Sequence, residues 1–160
     1  MYLPRLFESC KICEGILPQT MAGAASGDWV SLKGYDGILI IVHIAQGNAA
    51  TTALTVDKAT DVAGTGQSAG ITMNHWWKCE DAPQISDAFT KGTAAASITT
   101  SATGTGSSIC AIDIKADELG AYDCVQLEAG ASNAANILSA IYILYNSRYH
   151  QAAPISAIVD

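Results

Sequence analysis

Residues 37–45, Gly-Ile-Leu-Ile-Ile-Val-His-Ile-Ala, constrain the fold more than any other stretch. They form the longest apolar run in the chain, broken only by His43. Ile38, Ile40, Ile41, Val42 and Ile44 are β-branched, and such side chains lose rotamer freedom in a helix but fit a pleated surface. The run is too short for a typical core helix and far too short to span a bilayer. Gly37 opens it and Gly47 closes it, so a central strand is predicted. Alternation puts Ile38, Ile40, Val42 and Ile44 on one face and Leu39, Ile41 and His43 on the other. A strand apolar on both faces needs cover on both: a second sheet on one side and a neighbouring subunit on the other.

The rest of the chain reads as short strands between turn signals. Residues 1–27 show no clean period and end in small residues, so an irregular N-terminal arm is expected there. Trp29–Lys33 precedes Asp36-Gly37, a tight-turn signal that makes it a neighbour of the apolar run. Ala53–Asp57 alternates with Leu54 and Val56 inward, and 59–70, with Gly64, Gly66 and Gly70, reads as a long loop. Ile71–Lys78 alternates again, with Ile71, Met73, His75 and Trp77 on one face. A second long loop over 80–92, a short strand near Ser97–Ser101 and a Gly104–Gly106 turn follow. Ser108–Lys115 places Cys110, Ile112 and Ile114 together. One helical turn near 116–120 precedes Tyr122–Glu128, with Val125 and Leu127 inward. Asn133–Asn136 is a turn, and Ile137–Tyr145 is a long apolar strand. Seven or eight short strands without a helical period point to an all-β, antiparallel β-sandwich of the jelly-roll type. The domain division is an arm over 1–27, the sandwich over 28–149 and a tail over 150–160.

At 160 residues the chain is one domain with room for a real core. Charged residues are only 14% of it, against about 25% in an average globular domain, and that shortage favours subunit contacts. The net charge is −7 and only two arginines, Arg5 and Arg148, are present. No basic patch exists, which argues against nucleic acid as a partner. No stretch reaches transmembrane length, and the first residues lack the apolar core of a signal peptide, so neither a membrane partner nor ordinary export is expected. The five cysteines are an odd number, which favours reduced, buried thiols over a complete disulfide framework.

Reactive constellations are weak. Cys10-Lys-Ile-Cys13 has zinc or redox spacing but no second ligand pair and no strand–helix context. His43, His75 and His150 are scattered. Gly64–Gly70 lacks the lysine of a phosphate loop, and Asp113, Asp117, Glu118 and Asp123 do not follow a calcium-loop spacing. No nucleophile elbow occurs. The expectation is no catalytic residue, no metal, no cofactor and no enzyme activity. A jelly-roll metal enzyme is the reading that convergent histidines and carboxylates would favour. Aromatic residues are enriched at interfaces, so Trp29, Trp76, Tyr142, Tyr145 and Tyr149 are the candidate interface anchors. Core packing is the competing reading of the same side chains.

Several stretches carry a family likeness: Trp29-Val-Ser-Leu-Lys-Gly-Tyr-Asp36, Gln46-Gly-Asn-Ala-Ala-Thr51 and Ala59-Thr-Asp-Val-Ala-Gly-Thr-Gly66. To these are added Ile112-Asp-Ile-Lys-Ala-Asp-Glu-Leu119, Tyr122-Asp-Cys-Val-Gln-Leu127, Ala135-Asn-Ile-Leu-Ser-Ala-Ile-Tyr142 and Ser147-Arg-Tyr149. Over most of 29–149 the chain resembles small structural proteins of tailed bacteriophages that decorate or cement the capsid. That resemblance implies a jelly-roll homotrimer on the outer surface of the virion capsid, bound to the major capsid protein lattice at local threefold positions. The alternative is another virion component, such as a tail or connector part or a receptor-binding module.

Overall fold

The computed structural model describes residues 9–80, 87–101, 106–148 and 156–158. Among the described residues there are eleven strands: β1 (Cys10–Thr20), β2 (Ala25–Ser26), β3 (Val30–Ser31), β4 (Tyr35–Gln46), β5 (Ala53–Ala59), β6 (His75–Cys79), β7 (Thr90–Lys91), β8 (Ile98–Thr99), β9 (Gly106–Lys115), β10 (Cys124–Ala129) and β11 (Asn136–Ser147). A 3-10 turn, Ala116–Leu119, joins β9 to β10. One sheet runs β1-β11-β4-β9-β6-β7 and the other β2-β10-β5-β8, with β3 also on β10. Every pairing is antiparallel.

The topology is that of a jelly roll. β2 and β3 pair in succession along β10 and act as one interrupted strand. With the β6–β7 hairpin set aside as an insertion, the remaining eight strands divide into two sheets of four, interleaved in sequence as two Greek keys require. The apolar run lies in the middle of the larger sheet, where β4 pairs with β11 on one side and β9 on the other. Ile38, Ile40, Val42 and Ile44 are buried in the core with Leu54 and Val56 of β5 and Val125 and Leu127 of β10. These are the faces that alternation assigns. Cys110, Ile112 and Ile114 also point inward as expected.

Four local expectations are corrected. The N-terminal arm is a strand from Cys10 onward, paired with β11 from Cys10↔Tyr145 to Thr20↔Ile137, so the sandwich begins well before residue 28. Register shifts between Glu14 and Ile16 and between Ile16 and Gln19 break its period of two, which hid the strand. Residues 1–8 lie outside the described set. Asp36-Gly37 is not a turn but part of β4, because the chain reverses earlier, where Tyr35 N–H donates to Leu32 O at 3.1 Å. It thereby changes sheets, and β3 pairs with β10 rather than β4. Gly37 leaves room for Tyr145, whose hydroxyl would sit 2.4 Å from an added Cβ. The expected strand over 71–78 is regular only from His75, with Met73 held by a bridge to Ala95. The tail also contributes, since Ala157 is fully buried and its carbonyl accepts Ser31 N–H at 2.7 Å.

The loop after β5 folds back alongside that strand, with Ser68 bridged to Lys58 and Ile71 N–H donating to Val56 O, and is tied to the buried Asp57. Its carboxylate accepts Gly70 N–H at 2.8 Å and Gln67 Nε2 at 2.7 Å. Asp57→Ala leaves both donors without their acceptor and is expected to cost about 1–3 kcal/mol. Denaturant titration measures the loss, and faster cleavage within 59–70 under limited proteolysis locates it.

Candidate interaction face

The outer face of the larger sheet is built by the residues that alternate with the core. Opposite partners share a face, so the ladder defines rows across the strands. One row is Ile12, Ile143, Leu39, Asp113 and His75. The next is Glu14, Ile141, Ile41, Ala111, Trp77 and Lys91, crossing all six strands. A third is Ser139, His43, Ile109 and Cys79, and Ile137 with Ala45 follows. Ile141 is 49% exposed, Ile137 46% and Ile12 36%. Leu39, Ile41, Ile109 and Ile143 are half-buried by their neighbours alone. A contiguous apolar area on a sheet face is the kind of surface that marks an interaction site.

The two ends of this face are polar. At one, Tyr145 OH donates to Asp113 Oδ1 at 2.5 Å, while Lys115 Nζ lies 5.1 Å from the Tyr145 ring centre. Burial first, and the Asp113 carboxylate second, push the Tyr145 hydroxyl above the ordinary tyrosine range. Towards the other, His43 Nε2 meets Ser107 Oγ at 2.6 Å. Lys91 sits over the Trp77 ring, and His75 stacks beside the same indole.

The sequence-named aromatics fall in different places. Tyr145 is on this face, half-buried. Tyr142 is not a surface anchor: it is fully buried with Leu138, Ala140 and Leu144, because its position in β11 has core parity. Trp76 also points inward and packs against the core, with Nε1 donating to Thr93 O at 2.8 Å. Its neighbour Trp77 is the tryptophan on the outer face. Trp29 is half-buried beside Gly64, in the break between β2 and β3 of the smaller sheet. Tyr149 lies outside the described residues, as does His150. Sequence reasoning missed Ile109, Ile141 and Ile143, although the signal was the same alternation that revealed the core, and it missed Ile12 because the period of β1 is broken.

The reactive groups have structural partners. Cys10 and Cys13 lie on opposite faces of β1, since they stand opposite Tyr145 and Tyr142. All five cysteines are free thiols, and burial pushes Cys110 up to about 12. Glu118 accepts Lys115 N–H and Asn74 Nδ2, each at 2.9 Å. Among the described residues no group of three or more His, Cys, Asp or Glu is placed to hold a metal ion, and no helix is long and apolar enough to cross a membrane.

No family model and no curated protein matches the chain. Among solved structures, the crystal structure of SPBc2 prophage-derived protein YomS aligns with a TM-score of 0.43 and 10% sequence identity, over 84% of this chain and 93% of that one.

Proposed function

We propose that this chain is a structural protein of a tailed-phage virion, a homotrimer that decorates the outside of the capsid and cements it by binding the assembled major capsid protein lattice. The observation that carries the reading is the apolar outer face of the larger sheet, centred on Ile41, Ile141 and Ile143. A jelly roll needs only one face of each sheet for its own core. The second apolar face is therefore free for sister copies and the shell. The likeness in residues 29–149 supplies the capsid as the lattice. The mechanism is mechanical rather than chemical: a trimer that binds only the assembled shell shifts the equilibrium towards it by mass action. Three linked contacts per trimer add avidity.

Native mass measurement combined with co-sedimentation tests this. The purified chain is expected to run as three copies and to pellet with expanded capsids of the phage that encodes it, raising their resistance to heat. A stable monomer that stays in the supernatant overturns the reading. Binding to host cells or their glycans, with none to capsids, assigns the chain to a tail or receptor-binding part instead.

A further inference from the structure

The row that crosses the whole larger sheet begins with an acid and ends with a base: Glu14 on β1, Lys91 on β7, and Ile141, Ile41, Ala111 and Trp77 between them. Each end carries a second feature. Where the register of β1 shifts, a depression of about 350 Å³ lies between β1 and β11, lined by Ile12, Ile16, Pro18 and Ile141 together with Glu14. Two residues before Lys91, Phe89 stands at the opposite edge with 47% of its surface exposed. An apolar cavity of ~150 Å³ accepts a benzene ring, so the depression has room for a phenyl side chain. Six strands at ~4.8 Å spacing put the two edges about 24 Å apart, which keeps a chain from filling its own depression.

We infer that Phe89 of one copy seats in the β1–β11 depression of the next, with Lys91 closing on Glu14, and that three such contacts close the ring. The inference rests on the self-association proposed above and adds which surfaces meet. A second copy is the occupant because one chain carries both halves of a pair matched in shape and charge. Contacts between two different patches of the same chain are heterologous, and they end only when a ring closes. Aromatic anchors seated in apolar sockets are also where interface energy concentrates.

The test uses the full chain and two variants at exposed positions, F89D, which lacks the aromatic anchor, and I141D, which spoils the socket. Sedimentation equilibrium is expected to show at least a hundredfold weaker association for each variant alone, with native circular dichroism. Mixed together they are expected to form a one-to-one pair, because F89D keeps an intact socket and I141D an intact Phe89. In the charge exchange, E14K and K91E each weaken association about tenfold, and the double variant regains most of it. An oligomer unchanged by F89D overturns the inference and leaves the self-association standing. So does a mixture that stays monomeric, or an exchange whose losses merely add. A wild-type chain that is monomeric at every concentration overturns both.

Discussion

Tyr142→Ala is expected to lower the melting temperature by about 6–20 °C. The ring is fully buried between the sheets, and aromatic-to-alanine changes in cores cost about 3–5 kcal/mol, with each kcal/mol worth about 2–4 °C in a chain of this size. The site has little freedom to collapse, because backbone has already been shaped around the ring. An added Cβ at Gly15 would lie 2.8 Å from Tyr142 Cε1, and one at Gly27 would lie 2.3 Å from its hydroxyl. Both glycines are places where the β1 strand and the following loop approach the ring closely. The hydroxyl accepts Leu127 N–H at 2.9 Å, linking the larger sheet to β10 of the smaller one. Tyr142→Phe keeps the ring but orphans that N–H, for a smaller cost of about 1–3 kcal/mol. The two variants also separate by pH. Burial raises the Tyr142 hydroxyl above its ordinary value, an effect the Leu127 hydrogen bond only partly opposes. A raised folded-state value gives stability that is fully present below about pH 10, the ordinary tyrosine pKa, and is lost as pH rises further, because the unfolded chain ionises first. Tyr142→Phe is therefore expected to flatten the alkaline fall in stability, seen as a shallower drop of melting temperature above pH 10.

Tyr142 also shows where the sequence was legible and where it was not. The alternation in 137–145 predicts a strand, and β11 is one, yet the aromatic nature of Tyr142 drew it towards the surface. Its parity with Leu138 and Leu144 was the better guide, since a strand gives its residues one face or the other regardless of chemistry. The same rule made β4, β9 and β10 readable, because each keeps a clean period across its core contacts. It failed at β1, where Gly15, Pro18 and two register shifts interrupt the period, and at the short strands of two residues, whose pairing is decided by tertiary contacts alone. Asp36-Gly37 misled for another reason: the pair has turn chemistry, but Gly37 is there to admit the Tyr145 side chain. The candidate face was half legible. Leu39, Ile41 and His43 were grouped on one face of the apolar run, and one of its two faces was expected to meet a neighbouring subunit, but which face was left open. The strands that extend that side became known only through the register, which aligns Ile141 with Ile41 and Ile41 with Ala111.

Neighbouring isoleucines in β4 then give the sharpest division between folding and assembly. Ile40→Lys puts an ammonium at a position with no exposure, among Tyr142 and Ile112, its partners across the ladder. Burying an uncompensated charge costs several kcal/mol, a large share of the 5–15 kcal/mol that holds a domain together, so this variant is expected to be recovered unfolded or aggregated. Ile41→Lys places the same side chain on the outer face, between Ile141 and Ala111. There the stem of the lysine lies along the apolar row while its ammonium reaches water, and the monomer is expected to melt within a few degrees of the unaltered chain. In the proposed trimer this row is buried between copies, where the ammonium loses its water and the row's carboxylate, Glu14, stands two strands away at the sheet edge. A penalty of about 3–5 kcal/mol for an unpaired interfacial charge weakens association by about 10²–10⁴-fold. Sedimentation equilibrium beside a thermal melt reads both quantities on one sample. A folded trimer that tolerates lysine at 41 would mean that copies meet elsewhere, and the apolar row would then be left for the shell to cover.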